Sequence, residues 1–228
     1  MGASITGIAM SDRNTAPFLR ARSPEQRETR RQAILQAAER LLDAHAVSDI
    51  SLRELARSAG LSKTNVTRYF DTREAVFFAL LNERFASWIA ELAASAPGAT
   101  NDLAADVSES LARQPALCKL WASLGAELER NIPASAIVAF KTAHTERQIA
   151  LAAWVMSCEP ALTEGQAREW VQMLILLVAG LWPFAQPAAA VQEALTDPAL
   201  ASSRVDFRQR LERTLSIALR GILSAPPA

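Results

Sequence analysis

Residues 51–70, SLRELARSAG LSKTNVTRYF, predict two short helices joined by a tight corner. Ser51 is a good N-cap, and Glu54 completes the spacing of a capping box. Gly60 follows the apolar positions of the first helix, where a left-handed residue is needed to end it. Ser62 then caps the second helix. We therefore expect a helix–turn–helix unit in this stretch.

The second helix of the pair has one apolar and one polar side. Val66 and Phe70, four residues apart, form the inward side. The outward side has two cations, an amide, hydroxyls and an aromatic ring, but no acid: Lys63, Thr64, Asn65, Thr67, Arg68 and Tyr69. Such a surface suits a helix that lies in the major groove of DNA. The alternative is a solvated helical hairpin packed on a larger helical core.

The flanking sequence favours the first interpretation. An amphipathic helix precedes the pair, and residues 71–74, DTRE, begin a further helix immediately after it. Three short helices followed by a long fourth resemble the DNA-binding domain of the TetR family of transcriptional regulators. The resemblance covers residues 27–81 and is most specific over residues 61–74. The chain departs from the family at Thr67, where Tyr is usual, at Thr64, where Gly or Pro is common, and at Arg73, where Lys is usual.

The resemblance implies an all-α architecture with an N-terminal three-helix helix–turn–helix domain and a larger helical domain for ligand binding and dimerisation. We expect a flexible basic arm over residues 1–23, the DNA-binding domain over residues 24–72 and the regulatory domain over residues 73–228. The arm could reach into the minor groove or be a leader without a role. The expected DNA-binding residues are Arg27, Ser51, Arg53, Ser62, Lys63, Thr64, Asn65, Thr67, Arg68, Tyr69 and Arg73. Among them, Lys63 and Asn65 are the expected base readers, and Arg68, Tyr69 and Arg73 the expected phosphate contacts.

Composition agrees with an all-α fold. Half of the 228 residues are apolar, only 8 are Gly, and Ala and Leu dominate without alternating β-branched runs. The net charge is zero, but residues 1–73 hold 12 basic against 8 acidic residues, an excess of +4, and the remainder is correspondingly acidic. The basic part contains the helix pair, as binding to phosphates requires.

The sequence gives little support for a metal-binding protein, an enzyme or a membrane protein. The 2 cysteines, Cys118 and Cys158, lack metal-site spacing and are expected to be small buried residues in a reducing cytoplasm. No metal or cofactor is expected, and no catalytic constellation or phosphate-binding loop argues for an enzyme. The longest apolar run is too short to span a bilayer, and no signal peptide is visible, so we expect a cytoplasmic protein without a membrane partner.

The second half of the chain predicts a cavity for a small molecule. His144 lies in the apolar stripe of a long helix with Gln148 one turn later, so the pair could be polar groups in a ligand pocket. The alternative is a core histidine satisfied by a backbone carbonyl. The expected pocket residues are Phe85, Trp88, Trp121, Phe140, His144, Gln148, Trp170 and Met173. Their character indicates a hydrophobic or aromatic ligand.

The last two long helices are apolar over more than one face, so they must be buried on several sides. In the family that the chain resembles, the corresponding helices form a four-helix dimer bundle. The expected dimer contacts are Leu174, Leu177, Leu181, Phe207, Leu211, Leu215, Ala218 and Leu219.

These observations lead to one functional expectation and two alternatives. The expectation is a TetR-like transcriptional repressor that binds a palindromic double-stranded DNA operator as a homodimer and is released by a small hydrophobic effector. The first alternative is a ligand-independent dimeric DNA-binding or scaffolding protein. The second is an all-helical enzyme.

Overall fold

The computed structural model describes residues 24–94, 102–130 and 132–225, and the predicted N-terminal arm lies outside them. Every regular element in these ranges is helical, which confirms the predicted all-α fold. The α-helices are α1 (Pro24–Ala44), α2 (Leu52–Ser58), α3 (Lys63–Val66), α4 (Arg73–Ala94), α5 (Leu103–Ala112), α6 (Pro115–Ser123), α7 (Ala134–Cys158), α8 (Glu164–Ala185), α9 (Ala189–Ala194) and α10 (Phe207–Ser224).

Three shorter helical segments connect the α-helices. They are the 3₁₀-helix Val47–Asp49 before α2, the π-helix Leu124–Leu128 after α6 and the 3₁₀-helix Pro198–Ser203 before α10. None of the helices in the described ranges is both long and apolar enough to cross a membrane.

Helix α4 is the central element of the structure. It packs on α1, α6 and α7. Helix α8 packs on α6, α7 and α10, and α10 also packs on α5. The buried apolar side chains form one cluster that runs from Ile34 in α1 to Ile222 in α10. Because this core is continuous, a displacement of α4 must disturb packing at both ends of the molecule.

Two helix ends in the second half of the chain depend on single residues. A proline usually ends a helix at the preceding residue, but α8 runs past Pro183 and ends at Ala185. Pro183 lies in the last turn, where its missing N–H removes one hydrogen bond near the helix end. Helix α10 begins at Phe207, because the Asp206 side chain accepts the Gln209 N–H at 2.8 Å.

Candidate functional site

The corner between α2 and α3 has the predicted geometry. The hydroxyl of Ser51 accepts the Glu54 N–H at 3.2 Å, and the Glu54 carboxylate accepts the Ser51 N–H at 2.8 Å, which completes the capping box. These hydrogen bonds from Ser51 hold the pKa of Glu54 below its ordinary value. Gly60 has a φ of 66°, in the left-handed region that L-residues rarely adopt. Ser62 accepts the Asn65 N–H at 3.2 Å and so begins α3.

Helix α3 is shorter than predicted. Regular α-helix ends at Val66, and tight turns continue the chain, with the Tyr69 N–H donating to the Val66 carbonyl at 2.9 Å. Val66 and Phe70 are buried as expected, with 0% and 6% exposure, and they hold the segment on the core. The turns keep the outward residues on the surface although the helix has ended.

The outward face of α3 is available to a partner. Lys63, Thr64, Thr67 and Arg68 are exposed, and Asn65 is half-buried. The side chains of Lys63 and Arg68 make no ion pair or hydrogen bond with the residues that the structure describes. This face holds no acid in its first turn. Two cations without a partner in the described ranges can therefore approach a polyanion without first breaking contacts with those residues.

The other expected DNA-binding residues differ in availability. Arg27 and Arg53 are exposed, whereas Tyr69 is half-buried against the core. The hydroxyls of Ser51 and Ser62 are occupied as helix caps. The Thr67 hydroxyl donates to the Thr64 carbonyl at 3.0 Å.

Arg73, at the start of α4, points into the chain instead of toward solvent. Its Nη1 donates to the carbonyl oxygens of Val47 and Ile50 at 3.0 Å and of Ser48 at 3.2 Å, and its Nε donates to Glu74 at 2.7 Å. Only 23% of its side chain is exposed. In place of the expected phosphate contact, the guanidinium of Arg73 therefore binds the segment that precedes α2.

An aromatic cluster fills the region between α4, α6 and α7. The ring of Phe85 lies 5.0 Å from that of Trp121 and 5.2 Å from that of His144, between centroids. Phe140 lies 5.2 Å from His144 on the other side, and Trp88 lies 6.1 Å from Trp121. Five of the expected pocket residues therefore come together.

The cluster is densely packed. The indole N–H of Trp88 donates to the Ser110 hydroxyl at 3.0 Å, and the Trp88 side chain is completely buried. The indole nitrogen of Trp121 and Nε2 of His144 are also buried, but they have no hydrogen-bond partner in the described part of the chain. Two buried polar atoms beside Phe85 thus lack a hydrogen-bond partner among the described residues.

The remaining expected pocket residues do not share these ring contacts. Trp170 points toward α10, where its indole N–H donates to the Leu215 carbonyl at 3.4 Å. Met173 is 37% exposed on the outer side of α8, and Gln148 is half-buried on α7. The prediction of one shared cavity is wrong for Trp170 and Met173, because α8 turns these side chains to other surfaces.

His144 contacts a residue that the sequence analysis missed. Its Nδ1 lies 3.0 Å from Oδ1 of Asn82, which has only 8% exposure in the middle of α4. Because that oxygen can only accept, Nδ1 carries the proton and Nε2 is the unpartnered acceptor. Burial, together with the cations of Arg147 and Lys141, lowers the pKa of His144 to about 4. The signal for Asn82 was available in the sequence, since it is a polar residue in the apolar stripe of α4.

The expected dimer contacts separate into two groups. Leu174, Leu211 and Leu215 have 0% exposure within the single chain, and Phe207 has 8%. The prediction that these four form the interface is wrong, because α8 packs on α10 in the same chain and already covers them. Leu177, Leu181, Ala218 and Leu219 are partly buried and keep some exposed surface.

The outermost apolar residues of α8 and α10 were not predicted as contacts. Leu176 is 72% exposed, Phe184 is 69% exposed and Ile217 is 52% exposed. One side of α8 carries Met173, Leu176 and Phe184, which are separated by multiples of three to four residues.

The described ranges contain no group of three or more His, Cys, Asp or Glu side chains that could hold a metal ion.

Comparison with known proteins agrees with this geometry. Residues 34–80 match the profile of bacterial regulatory proteins of the tetR family, and residues 80–226 match the profile of the tetracyclin repressor-like C-terminal domain. The HTH-type transcriptional regulator EthR of Mycobacterium tuberculosis is 42% identical over 55 residues. That match covers 24% of this chain and only 26% of the length of EthR.

Solved structures share the fold over most of the chain. A TetR transcriptional regulator from Rhodococcus sp. RHA1 has a TM-score of 0.57 at 17% identity, covering 86% of this chain and 96% of that chain. GusR of Salmonella enterica has a TM-score of 0.52 at 15% identity, covering 87% and 98% of the two chains. The helix–turn–helix corner, the all-helical architecture and both family profiles agree, and the chain belongs to the TetR family of bacterial transcriptional regulators.

Proposed function

We propose that this protein is a repressor that binds a palindromic operator as a homodimer in the cytoplasm and is released by a small hydrophobic effector. The observation that carries the proposal is the outward face of α3, where Lys63 and Arg68 are exposed and have no partner among the described residues. We expect Lys63 and Asn65, near the N-terminal end of the helix, to read base edges. Arg68 and the exposed Arg27 and Arg53 suit phosphate contacts.

A palindromic operator requires two copies of α3, about one turn of DNA apart. We propose that the exposed side of α8, with Met173, Leu176 and Phe184, and Ile217 of α10 form the centre of the dimer interface. Leu177, Leu181, Ala218 and Leu219 would surround this centre. Exposed apolar surface of this kind supports the proposal because it is costly to leave in water.

The effector would act through α4. Helix α4 begins beside the helix–turn–helix unit, where Arg73 holds the carbonyls of residues 47–50, and its middle contacts α7 through Asn82. A ligand that enters the cluster would have to displace the packed ring of Phe85, Trp121 or His144. It would then meet the Trp121 indole N–H and Nε2 of His144, which have no hydrogen-bond partner among the described residues. It would change operator affinity only if it prefers one position of α4 over another.

A second candidate is a dimeric DNA-binding protein that responds to no ligand. It is favoured by the close packing of the aromatic cluster, in which Phe78 stacks on Phe140 at 4.2 Å and Trp88 is completely buried. Native mass spectrometry of the purified protein separates the candidates, because only the first predicts a co-purifying or titratable ligand at the cluster.

The operator proposal is tested by selecting genomic DNA fragments with the purified full chain. We expect the selected fragments to share a two-fold symmetric sequence with half-sites about one helical turn apart, or a multiple of that distance. Selection without sequence preference, under salt conditions that remove non-specific binding, would contradict the proposal.

A further inference from the structure

A cleft that is separate from the aromatic cluster lies where α1, α6 and α8 meet. Its volume is about 720 Å³, within the range of small-molecule sites. Much of its lining is apolar, with Leu42 and Val47 on one side, Pro115 and Ala122 on another, and Trp182 and Pro187 at the end of α8. None of Phe85, Phe140 or His144 lines it.

The charged residues of the cleft are Asp43, Lys119 and Glu127. The cation of Lys119 is already occupied, because its Nζ donates to the carbonyl oxygens of Leu42 and, at 3.3 Å, of His45. The last turn of α1 has no basic residue of its own, so Lys119 supplies the positive charge that a helix C-terminus favours.

Glu127 has no such partner among the described residues. Its Oε2 atom is buried and makes no hydrogen bond, and the carboxylate makes no ion pair with any residue in the described ranges. Burying a carboxylate oxygen without a donor costs free energy. Glu127 also lies in the π-helix Leu124–Leu128, a geometry that is uncommon and often found at functional sites. The cleft therefore combines apolar walls, an occupied cation and a carboxylate that lacks a donor in the part of the chain that the structure describes.

We propose that this cleft binds a small molecule that carries a protonated amine on a hydrophobic body. The ammonium group donates to Glu127 while the body packs against Trp182 and the neighbouring prolines. Asp43 at the rim favours the same charge. A carboxylate ligand fits less well, because it would face Asp43 and Glu127 while Lys119 is held by the end of α1.

The position of the cleft indicates a regulatory role. One wall belongs to α1, which packs on α2, and the opposite walls belong to α6 and α8. A ligand that contacts all walls stabilises one arrangement of α1 against α6, in addition to the link through Lys119. This regulatory part rests on the proposed operator binding, whereas binding of the amine itself does not.

The test uses calorimetric titration of the full chain with 4-phenylbutylamine, 4-phenylbutanol and 4-phenylbutyrate, which share one hydrophobic body. We expect the amine to bind about tenfold more tightly than the alcohol, as one charge-assisted hydrogen bond allows, and the carboxylate most weakly. The variant E127Q should lose most of the preference for the amine over the alcohol, because the charged acceptor is gone. The control E146Q, which removes an exposed carboxylate of α7, should keep the wild-type preference.

A second variant locates the site independently of Glu127. Ala188 is exposed and lines the cleft, so A188W should fill the cleft and abolish binding of amine and alcohol at an unchanged melting temperature. Equal affinity of the wild type for amine and alcohol, a preserved preference in E127Q, or unchanged binding by A188W would each overturn the proposal. These are binding measurements without DNA, so their failure is distinct from a failure of operator binding.

Discussion

The side-chain oxygen of Asn82 in α4 lies 3.0 Å from Nδ1 of His144 in α7. Two further contacts surround this pair: Nδ2 of Asn82 approaches the Phe140 carbonyl at 3.5 Å, and Nε of Arg147 donates to the Asn82 carbonyl at 2.7 Å. One residue of α4 thus makes three polar contacts with a single neighbouring helix. Because α4 also begins beside the helix–turn–helix unit, this junction can relate the position of α7 to that of α3.

Replacing Asn82 and His144 singly and together should measure the energetic coupling between the two side chains. We expect N82A and H144A each to lower the free energy of unfolding by about 1–3 kcal/mol, because each leaves a buried polar group without its partner. The double variant should lose less than the sum, by at least about 0.5 kcal/mol, since both single changes remove one interaction. Urea unfolding measures all four proteins. Strict additivity would show that the pair does not stabilise the junction.

The depressed pKa of His144 predicts a dependence of stability on pH. The group has an ordinary pKa of 6.5 when unfolded and about 4 when folded, so between these values the unfolded chain binds more protons. Stability should therefore fall as the pH falls through this window. The contribution of His144 at pH 5 should be about 2 kcal/mol less favourable than at pH 7.5.

The variant H144Q isolates this contribution, because it has no titratable group at that position. The wild type should lose more free energy of unfolding than H144Q between pH 7.5 and pH 5, and the difference between the two losses is the quantity to measure. Parallel pH profiles of the two proteins would contradict the assigned pKa shift.

Local sequence signals predicted the corner well and the long-range contacts poorly. Ser51 with Glu54, and Gly60, obey rules that involve only a few neighbouring residues, and the structure has both features. By contrast, the apolar character of Leu215 requires burial but does not say which surface covers it. The covering surface is α8 of the same chain, a fact of tertiary packing.

Arg73 illustrates the same limit. Arg73 lies at the start of a helix beside the helix–turn–helix unit, and the resemblance to the TetR family implies a phosphate contact at that position. The contacts of its guanidinium depend on how the chain turns at residues 47–50, which the sequence does not show. In the structure, three carbonyl groups of that turn accept hydrogen bonds from Nη1. A guanidinium has five N–H donors in a planar arrangement, so it suits several neighbouring carbonyl acceptors better than the ammonium of lysine does. This accounts for arginine at this position.

The two arginines of this region should differ when replaced. We expect R73A to lower the free energy of unfolding by about 2–3 kcal/mol, because three backbone carbonyls and Glu74 lose a charged donor. R68A should change stability by less than about 0.5 kcal/mol, since Arg68 is exposed and unpaired among the described residues. Melting curves and salt-dependent operator titrations measure both effects.

Operator titrations distinguish the two roles further. R68A should reduce the slope of log affinity against log salt by about 1, as expected for the loss of one phosphate contact. A stably folded R73A with a reduced salt slope would restore Arg73 as a phosphate contact and contradict its internal role.

Asn65 should determine sequence preference. We expect N65A to bind the selected operator about 1–3 kcal/mol less tightly while binding unrelated DNA as before, because the lost contact is to a base edge. R68A is the matched control, since it should weaken operator and unrelated DNA alike. Competition titrations with both DNAs give the ratio of affinities. An unchanged ratio in N65A would assign base reading to another residue of α3.

The dimer prediction rests on the contrast between Leu176 and Leu215. Leu176 is 72% exposed in the single chain, so L176E places its charge in water in the monomer and should not impair folding. In the proposed dimer the same charge would be buried without a partner, which costs several kcal/mol. L176E should therefore sediment as a folded monomer with weakened operator binding. L215E should unfold or be insoluble, because Leu215 has 0% exposure already.

The variant V138E provides the control, since Val138 is 65% exposed on α7 and lies outside the proposed interface. It should sediment as the wild type does. Sedimentation velocity at micromolar concentration, with circular dichroism for folding, covers all four proteins. A wild type that is dimeric while L176E remains equally dimeric would move the interface away from the exposed side of α8. The exposed residues Phe184 and Ile217 would then require another explanation, because an apolar surface of that size is unfavourable in water.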